Sequence, residues 1–335
     1  MSAKTVIVTG ATAGIGYVTA KHISMMGAKV ILACRSEDKA TQAIDNMRAE
    51  YSQWVQKRQK AKSKTKNKKR DTVEEPQPDE LNLEFMKLDL TSLKSTTDFV
   101  HNYKSRGYSL NVLVCNAGIA LPPKELTEDG FEKQFQVNYL SHFLLTLQLL
   151  PLLKSSSPGS RIINVSSVGH ARGELNLENI QAQLSYSRIP FYGNSKLYQI
   201  MSMFSFQRRL EGSGVNVTSL HPGVVNTEID KTYQDYWMKN VWGFFRRTGM
   251  LIDVEKGAAT SIDLAVNPEY NDVTGVYFSE CKRTTPSSLS RNVEKQEILW
   301  KYSLECLKDY LDDNILEQIG EDRKEVKDVG ENDNI

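Results

Sequence analysis

The stretch Thr5-Val-Ile-Val-Thr-Gly-Ala-Thr-Ala-Gly-Ile-Gly16 constrains this chain more than any other. Val6, Ile7 and Val8 form a β-branched run that predicts a short strand buried on both faces. Gly10, Gly14 and Gly16 then break the chain before a helix opens at Tyr17. Strand, glycine turn and helix N-terminus together make an anion site. Glycine lets the backbone approach a pyrophosphate, and the unpaired N–H groups and helix dipole favour its charge. The spacing G-x-x-x-G-x-G differs from the G-x-G-x-x-G dinucleotide pattern, and glycine trios after strands also serve as plain turns. The residues that follow decide between the two.

Buried apolar runs recur at 28–34, 83–88, 111–115, 161–165, 214–220 and 275–278, alternating with helical stretches. Those stretches are expected at 37–56, from 92, over 130–150, around 192–196 and over 293–310. This alternation predicts an α/β protein built on one doubly wound parallel sheet of about seven strands, binding its ligand at the strands' carboxyl ends. Arg35 follows the second run, where a dinucleotide fold faces the adenosine ribose. With Lys39 one turn on, it can pair with a 2′-phosphate, which favours NADP; Glu37 and Asp38 are the argument for NAD. Asp89-Leu90 ends the third run, where an Asp can bond adenine. Asn116-Ala117-Gly118 is small enough to pass close to a cofactor. Pro222-Gly223 predicts a turn, and Thr227 can bond a carboxamide or phosphate.

Charge is informative in one place. The 335-residue chain has a net charge of +1, but 57–70 alone holds nine Lys or Arg and no acid, leaving about −8 elsewhere. With the acidic, Pro-containing stretch after it, 57–82 reads as a mobile surface insertion rather than a patch for anionic lipid or nucleic acid. The four cysteines have neither zinc nor disulfide spacing, which fits a reducing compartment and no metal. The first strand starts within about five residues of Met1, which leaves no room for a signal peptide, and the apolar run 143–153 is too short to span a bilayer. The aromatic, basic stretch 231–252 reads as a flap over an apolar pocket, a dimer surface or a membrane contact. The tail from 317 carries seven acids against three bases and is expected to fray.

Tyr192-Gly-Asn-Ser-Lys196 places a phenol and an ammonium one helical turn apart. A phenol titrates near ~10, too high for acid–base work, and a nearby cation favours its phenolate. Tyr17 and Lys21 share the spacing, but Tyr17 follows the glycine turn, where core packing is its natural role. Thr9-Gly10-x-x-x-Gly14-Ile15-Gly16, Asn116-Ala117-Gly118, Asn138, Ser167, Tyr192-x-x-x-Lys196 and Pro222-Gly223-x-Val225-x-Thr227 occur in order. With them the chain resembles the short-chain dehydrogenase/reductases over roughly residues 4–305. Ala33-Cys34-Arg35, Asn138-Tyr139-Leu140-Ser141-His142-Phe143 and the 25-residue interval from Ser167 to Tyr192 make it most similar to the retinol dehydrogenase and WW-domain-containing oxidoreductase branch.

The resemblance implies a Rossmann-type domain over 1–305, with the insertion at 57–82 and a helix end and disordered acidic tail over 306–335. It implies a tetrad: Tyr192 as general acid in reduction, Ser167 orienting the carbonyl, Lys196 holding the nicotinamide ribose and lowering the Tyr192 pKa, and Asn138 anchoring a water. Cofactor contacts follow at Gly10, Thr12, Gly14, Ile15, Gly16, Arg35, Lys39, Asp89, Leu90, Asn116, Ala117, Gly118, Tyr192, Lys196, Pro222, Gly223, Val225 and Thr227. Cys115 departs from the pattern, standing where the family usually has a first Asn. The expected activity is NADP-dependent interconversion of a carbonyl and an alcohol on a small or lipid-like molecule. The alternatives are an enone reductase or a cofactor-binding scaffold. The expected setting is cytoplasmic, with peripheral contact to a membrane or lipid droplet and a homodimer as the possible assembly.

Overall fold

The computed structural model describes residues 1, 3–64, 78–225 and 252–323. Eight strands form one sheet in the order β3-β2-β1-β4-β5-β6-β7-β8. They are β1 (Thr5–Thr9), β2 (Lys29–Cys34), β3 (Leu83–Lys87), β4 (Val112–Cys115), β5 (Ser160–Val165), β6 (Val215–His221), β7 (Val276–Ser279) and β8 (Lys282–Thr284). The first seven pair in parallel, as the buried runs predict. The eighth, unforeseen, is antiparallel to β7, and its residues are exposed. Glu280 and Cys281 turn the hairpin with φ of 49° and 57°, the primed geometry that matches strand twist, but without the glycine that usually announces it.

Alternation along each strand divides the core between the two faces. Ile7, Ile31, Leu113, Ile162 and Val217 face one side, against α3 (Leu93–Ser105), α5 (Ser141–Ser155) and α6 (Arg188–Arg209). Val6, Val8, Val30, Leu32, Val112 and Val114 face the other, against α1 (Gly14–Met25), α2 (Glu37–Lys64) and α7 (Val254–Val266). The chain winds outward from β1 to β3, then returns to place β4 on the other side of β1, with Val8 registered on Val114. That reversal opens a crevice at the carboxyl ends of β1 and β4, the natural ligand position in such a sheet.

Three helices differ from expectation. α2 runs through Lys64, eight residues past the expected end, so the basic segment begins as helix; 65–77 lies outside the described residues. The helix expected over 130–150 starts at α4 (Lys133–Phe135), widens to a π turn at Gln136–Leu140, and continues as α5. Beyond α8 (Val293–Cys306) the chain stays packed. α9 (Asp313–Gln318) buries Ile315 and Leu316, Ile319 is buried behind it, and the Glu321 carboxylate accepts the Trp300 indole N–H at 2.8 Å. The start of the tail is therefore ordered against the domain, while 324–335 lies outside the described residues. Among the described residues, no helix is long and apolar enough to cross a membrane.

Candidate active site

The glycine turn forms the floor of the crevice because no other residue fits. Gly10 has φ +67°, and a Cβ there would stand 3.0 Å from Ala117. A Cβ on Gly16 would run into the Gly10 carbonyl and the Asn116 amide. Ala13 at the N-cap of α1 offers no side-chain bond, so the first N–H groups of the helix stay available to an anion. Beneath the turn, the Ala11 N–H donates to Cys34 Sγ at 3.2 Å. Burial pushes that thiol up to about 11, so it serves as a neutral acceptor.

Thr9 joins this turn to the next loop. Its hydroxyl accepts the Asn116 and Ala117 amides, both at 2.9 Å, and lies 2.9 Å from His142 Nε2. Two accepted bonds use both lone pairs, so the hydroxyl proton goes to Nε2 and the His142 proton sits on Nδ1. Nδ1–H then donates to the Asn138 carbonyl at 3.2 Å, within the π turn. Burial lowers His142 to about 4, which keeps the ring neutral. Thr9, Cys34 and His142 were not foreseen as site residues. The signals were faint: a Thr ending the strand, and a His one turn beyond Asn138.

Above the turn is a cavity of about 440 Å³. Of the predicted contacts, Gly10, Thr12, Gly14, Ile15, Gly16, Arg35, Asp89, Leu90, Asn116, Ala117, Gly118, Tyr192, Lys196 and Pro222 line it. Lys39, Gly223 and Val225 stand outside its wall, and Thr227 and the flap expected at 231–252, all but Ile252, lie outside the described residues. Lys39 is exposed on the first turn of α2, its amide bonded to Ser36 Oγ at 3.4 Å. Asp89 Oδ1 is taken by the Thr91 amide and hydroxyl at 3.0 and 2.7 Å.

The four tetrad residues come from three segments: Tyr192 and Lys196 of α6 stand in the cavity wall, while Ser167 and Asn138 lie outside it. Ser167 caps a 3₁₀ turn after β5, where its Oγ accepts the Gly169 N–H at 3.1 Å; a Cβ on Gly169 would stand 3.5 Å from that Oγ and 3.4 Å from the Tyr192 ring, so the two side chains meet there. Asn138 is fully buried: its Oδ1 accepts the Ile119 N–H at 2.8 Å, and its Nδ2 donates to the Ile119 carbonyl and Ser195 Oγ, both at 2.9 Å. Gly118 admits this arrangement, since a Cβ there would meet Asn138 Oδ1 at 3.2 Å and Lys196 Nζ at 3.4 Å. The Lys196 Nζ donates to the Val165 carbonyl at 3.0 Å and to Gln199 Oε1 at 3.1 Å, and lies 5.9 Å from the Tyr192 ring centre. Gln199 is a partner that sequence reading missed.

Two expectations need correction. Lys196 does not lower the Tyr192 pKa in this arrangement. Burial raises the phenol above its ordinary value, and the opposing influence is the Ser167 hydrogen bond. Burial also lowers Lys196 to about 7, because its acceptors are neutral. Tyr17 is not a core residue alone: it is half-buried, and its hydroxyl donates to Glu50 on α2 at 2.8 Å.

A nicotinamide dinucleotide fits these groups: a glycine floor that a Cβ would fill, free helix N–H groups for the pyrophosphate, and Arg35 at the ribose end. The comparisons agree. The short chain dehydrogenase family profile matches residues 4–67 and 58–236. Mouse retinol dehydrogenase 12 is 36% identical over 304 residues, covering 91% of this chain and 86% of that protein. Human polyprenol dehydrogenase is 37% identical over 310 residues, covering 89% and 83%. A crystal structure of an uncharacterized protein from Mycobacterium paratuberculosis superposes with a TM-score of 0.67 at 27% identity, covering 92% of this chain and 94% of that one. A glycine-floored crevice, a Tyr–Lys pair in its wall and relatives of this kind lead to one conclusion: the chain belongs to the short-chain dehydrogenase/reductase family and is an NAD(P)-dependent oxidoreductase of alcohols and carbonyls.

Proposed function

We propose that this chain interconverts an alcohol and a carbonyl on an apolar, lipid-like molecule with NADP, using Tyr192 as general acid in reduction and general base in oxidation. The observation that carries the reading is the approach of the Ser167 and Tyr192 side chains around Gly169, beside Lys196, with Tyr192 and Lys196 in the cavity wall. Ser167 Oγ accepts the Gly169 N–H, and its own proton, directed towards the Tyr192 oxygen, can pass to a substrate oxygen that enters between them. Tyr192, with its pKa above the ordinary phenol value, holds its proton at neutral pH and can deliver it to the same oxygen. When bound, the nicotinamide supplies or accepts the hydride. Lys196 uses two of its three N–H groups on Val165 and Gln199, which leaves one for a ribose hydroxyl.

Arg35, exposed on the cavity wall at the end of β2, supports the 2′-phosphate assignment. Val168 and Ile189 support an apolar substrate. Each is 46% exposed; one is adjacent to Ser167 and the other lies one turn before Tyr192. The names of the retinol and polyprenol dehydrogenases point the same way. A cytoplasmic setting at a membrane or lipid droplet surface, where such substrates partition, belongs to the same proposal.

The test is NADPH and NADH consumption against aldehydes, ketones and enones, all-trans-retinal among them, with cofactor affinities measured alongside. NADPH should bind more tightly, and Arg35→Ala should erase most of a gap of about 10- to 150-fold. Tyr192→Phe should lower kcat by about 10²–10⁴ while keeping the Tm and NADPH affinity. Equal affinity for both cofactors overturns the NADP assignment, and wild-type turnover in Tyr192→Phe overturns the catalytic one. Saturation of an enone without carbonyl reduction would make the chain a double-bond reductase.

A further inference from the structure

His170 lies three residues beyond Ser167, on the turn Val168–Arg172, and is 6% exposed. Its Nδ1 is 2.7 Å from the Ser167 carbonyl oxygen, which the His170 amide also reaches at 3.1 Å. Its Nε2 is 3.1 Å from the Ser287 amide nitrogen. An amide N–H can only donate, so Nε2 is the acceptor, and the ring proton sits on Nδ1 and is donated to Ser167. Burial keeps the ring below its ordinary pKa and therefore neutral. The ring packs edge-on against Tyr277 of β7, with centres 5.1 Å apart, and the Tyr277 hydroxyl oxygen lies 3.3 Å from Nδ1, where it shares the ring proton with the nearer Ser167 carbonyl.

Ser287 lies on the segment 285–292 that joins β8 to α8. The Ser290 carbonyl of that segment accepts the Gln296 amide at 2.7 Å, and Gln296 Oε1 accepts from Arg208 at 2.6 Å. Arg208 is on α6, the helix that carries Tyr192. One imidazole thus ties the Ser167 backbone to a segment anchored on the helix of its hydroxyl partner.

We propose that His170 is a positioning residue, whose Nδ1–H tautomer clamps Ser167 to the segment 285–292 and so sets where the Ser167 hydroxyl stands relative to Tyr192. The inference rests on the reading of Ser167 and Tyr192 as the substrate-facing pair. A five-residue 3₁₀ turn has little rigidity of its own, and a displacement of about 1 Å at a reacting group can cost about 10²-fold.

Three variants separate the parts. His170→Phe removes the bonds to Ser167 and Ser287 along with the Tyr277 hydroxyl contact, and His170→Asn keeps a donor towards the Ser167 carbonyl. Ser287→Pro removes the N–H that Nε2 accepts, with Ser287→Ala as the control for the hydroxyl that accepts the Ser290 N–H at 3.4 Å. With NADPH and either decanal or all-trans-retinal, His170→Phe should lose about 30- to 100-fold in kcat, with aldehyde KM and NADPH Kd within about threefold of wild type. His170→Asn should recover most of that loss. If His170→Phe fails to fold, Ser287→Pro carries the test, with an expected loss in kcat of about 5- to 10-fold.

Ser167→Ala is assayed in parallel. Wild-type turnover in Ser167→Ala would sink the catalytic reading itself. Loss in Ser167→Ala with wild-type kcat in His170→Phe would overturn the positioning role alone. Independent of any substrate, long-range ¹H–¹⁵N spectra of the histidines should show His170 as the Nδ1–H tautomer; an Nε2–H form would overturn the clamp.

Discussion

Lys196 is a buried ammonium whose hydrogen-bond acceptors, Val165 O and Gln199 Oε1, carry no charge. Burial therefore lowers it to about 7, whereas an unfolded lysine titrates near ~10.4. Between these two values the unfolded chain binds more protons than the folded one, so stability rises with pH from about 7 upward and is unaffected by this group below it. Lys196→Met removes the effect. Wild-type stability should climb relative to the variant between pH 7 and 9, by at most about 2–3 kcal/mol, measured by denaturant unfolding at each pH. Parallel pH profiles would contradict the assignment. The identity of Lys196 was legible from its spacing to Tyr192. Its low pKa was not, because desolvation depends on everything packed around the ammonium and not on the helix that carries it.

At the scale of elements, the Thr9 hydroxyl joins the end of β1 to the loop after β4, beside the bond from the Asn116 side-chain amide to the Thr9 carbonyl at 2.9 Å. Thr9 Oγ1 accepts the half-buried Asn116 and Ala117 amides and donates to the buried His142. Thr9→Val keeps the shape and removes the hydroxyl. The Asn116 amide keeps the Val114 carbonyl at 3.0 Å, so the Ala117 amide is the one left unpaired, and the variant should lose about 1–3 kcal/mol and bind NADPH more weakly, as calorimetric titration would show. A loss under about 0.5 kcal/mol would mean that the loop is held by other contacts. The same joint explains how Cys115 is tolerated: the thiol is fully buried and pushed up to about 12 by that burial, while Thr9 holds the amides of the following loop. The strands were legible at this scale, because a run such as Val6-Ile7-Val8 has one low-energy fate in a doubly covered sheet. The π turn at Gln136–Leu140 was not, since it reflects where Asn138 and His142 must reach rather than any local propensity.

For the molecule as a whole, the C-terminal segment completes the core. Trp300 of α8 is 1% exposed, with its ring 4.9 Å from Phe143 and 5.0 Å from Phe206, and the Arg209 guanidinium 4.0 Å from its centre. It covers apolar faces of α5 and α6, the helices that carry the aromatic core and the Tyr–Lys pair. Trp300→Ala should cost about 3–5 kcal/mol, read from the denaturant midpoint at constant m-value; a cost below about 1 kcal/mol would show that the segment is only peripheral.

By itself, the amino-acid sequence determined the alternation of strands and helices, the glycine floor and the Tyr192–Lys196 pair. Each of these is set by interactions within a few residues, where backbone freedom and side-chain period leave one outcome. Tertiary structure alone decided the partners. Thr9 meets His142 across 133 residues, His170 meets Ser287 across 117, and the antiparallel β8 is ordered by pairing with β7. These contacts set the tautomers of both histidines, and burial sets the charge of Lys196. Hydrogen-bond direction and desolvation depend on what lies across the fold, and no local pattern encodes them.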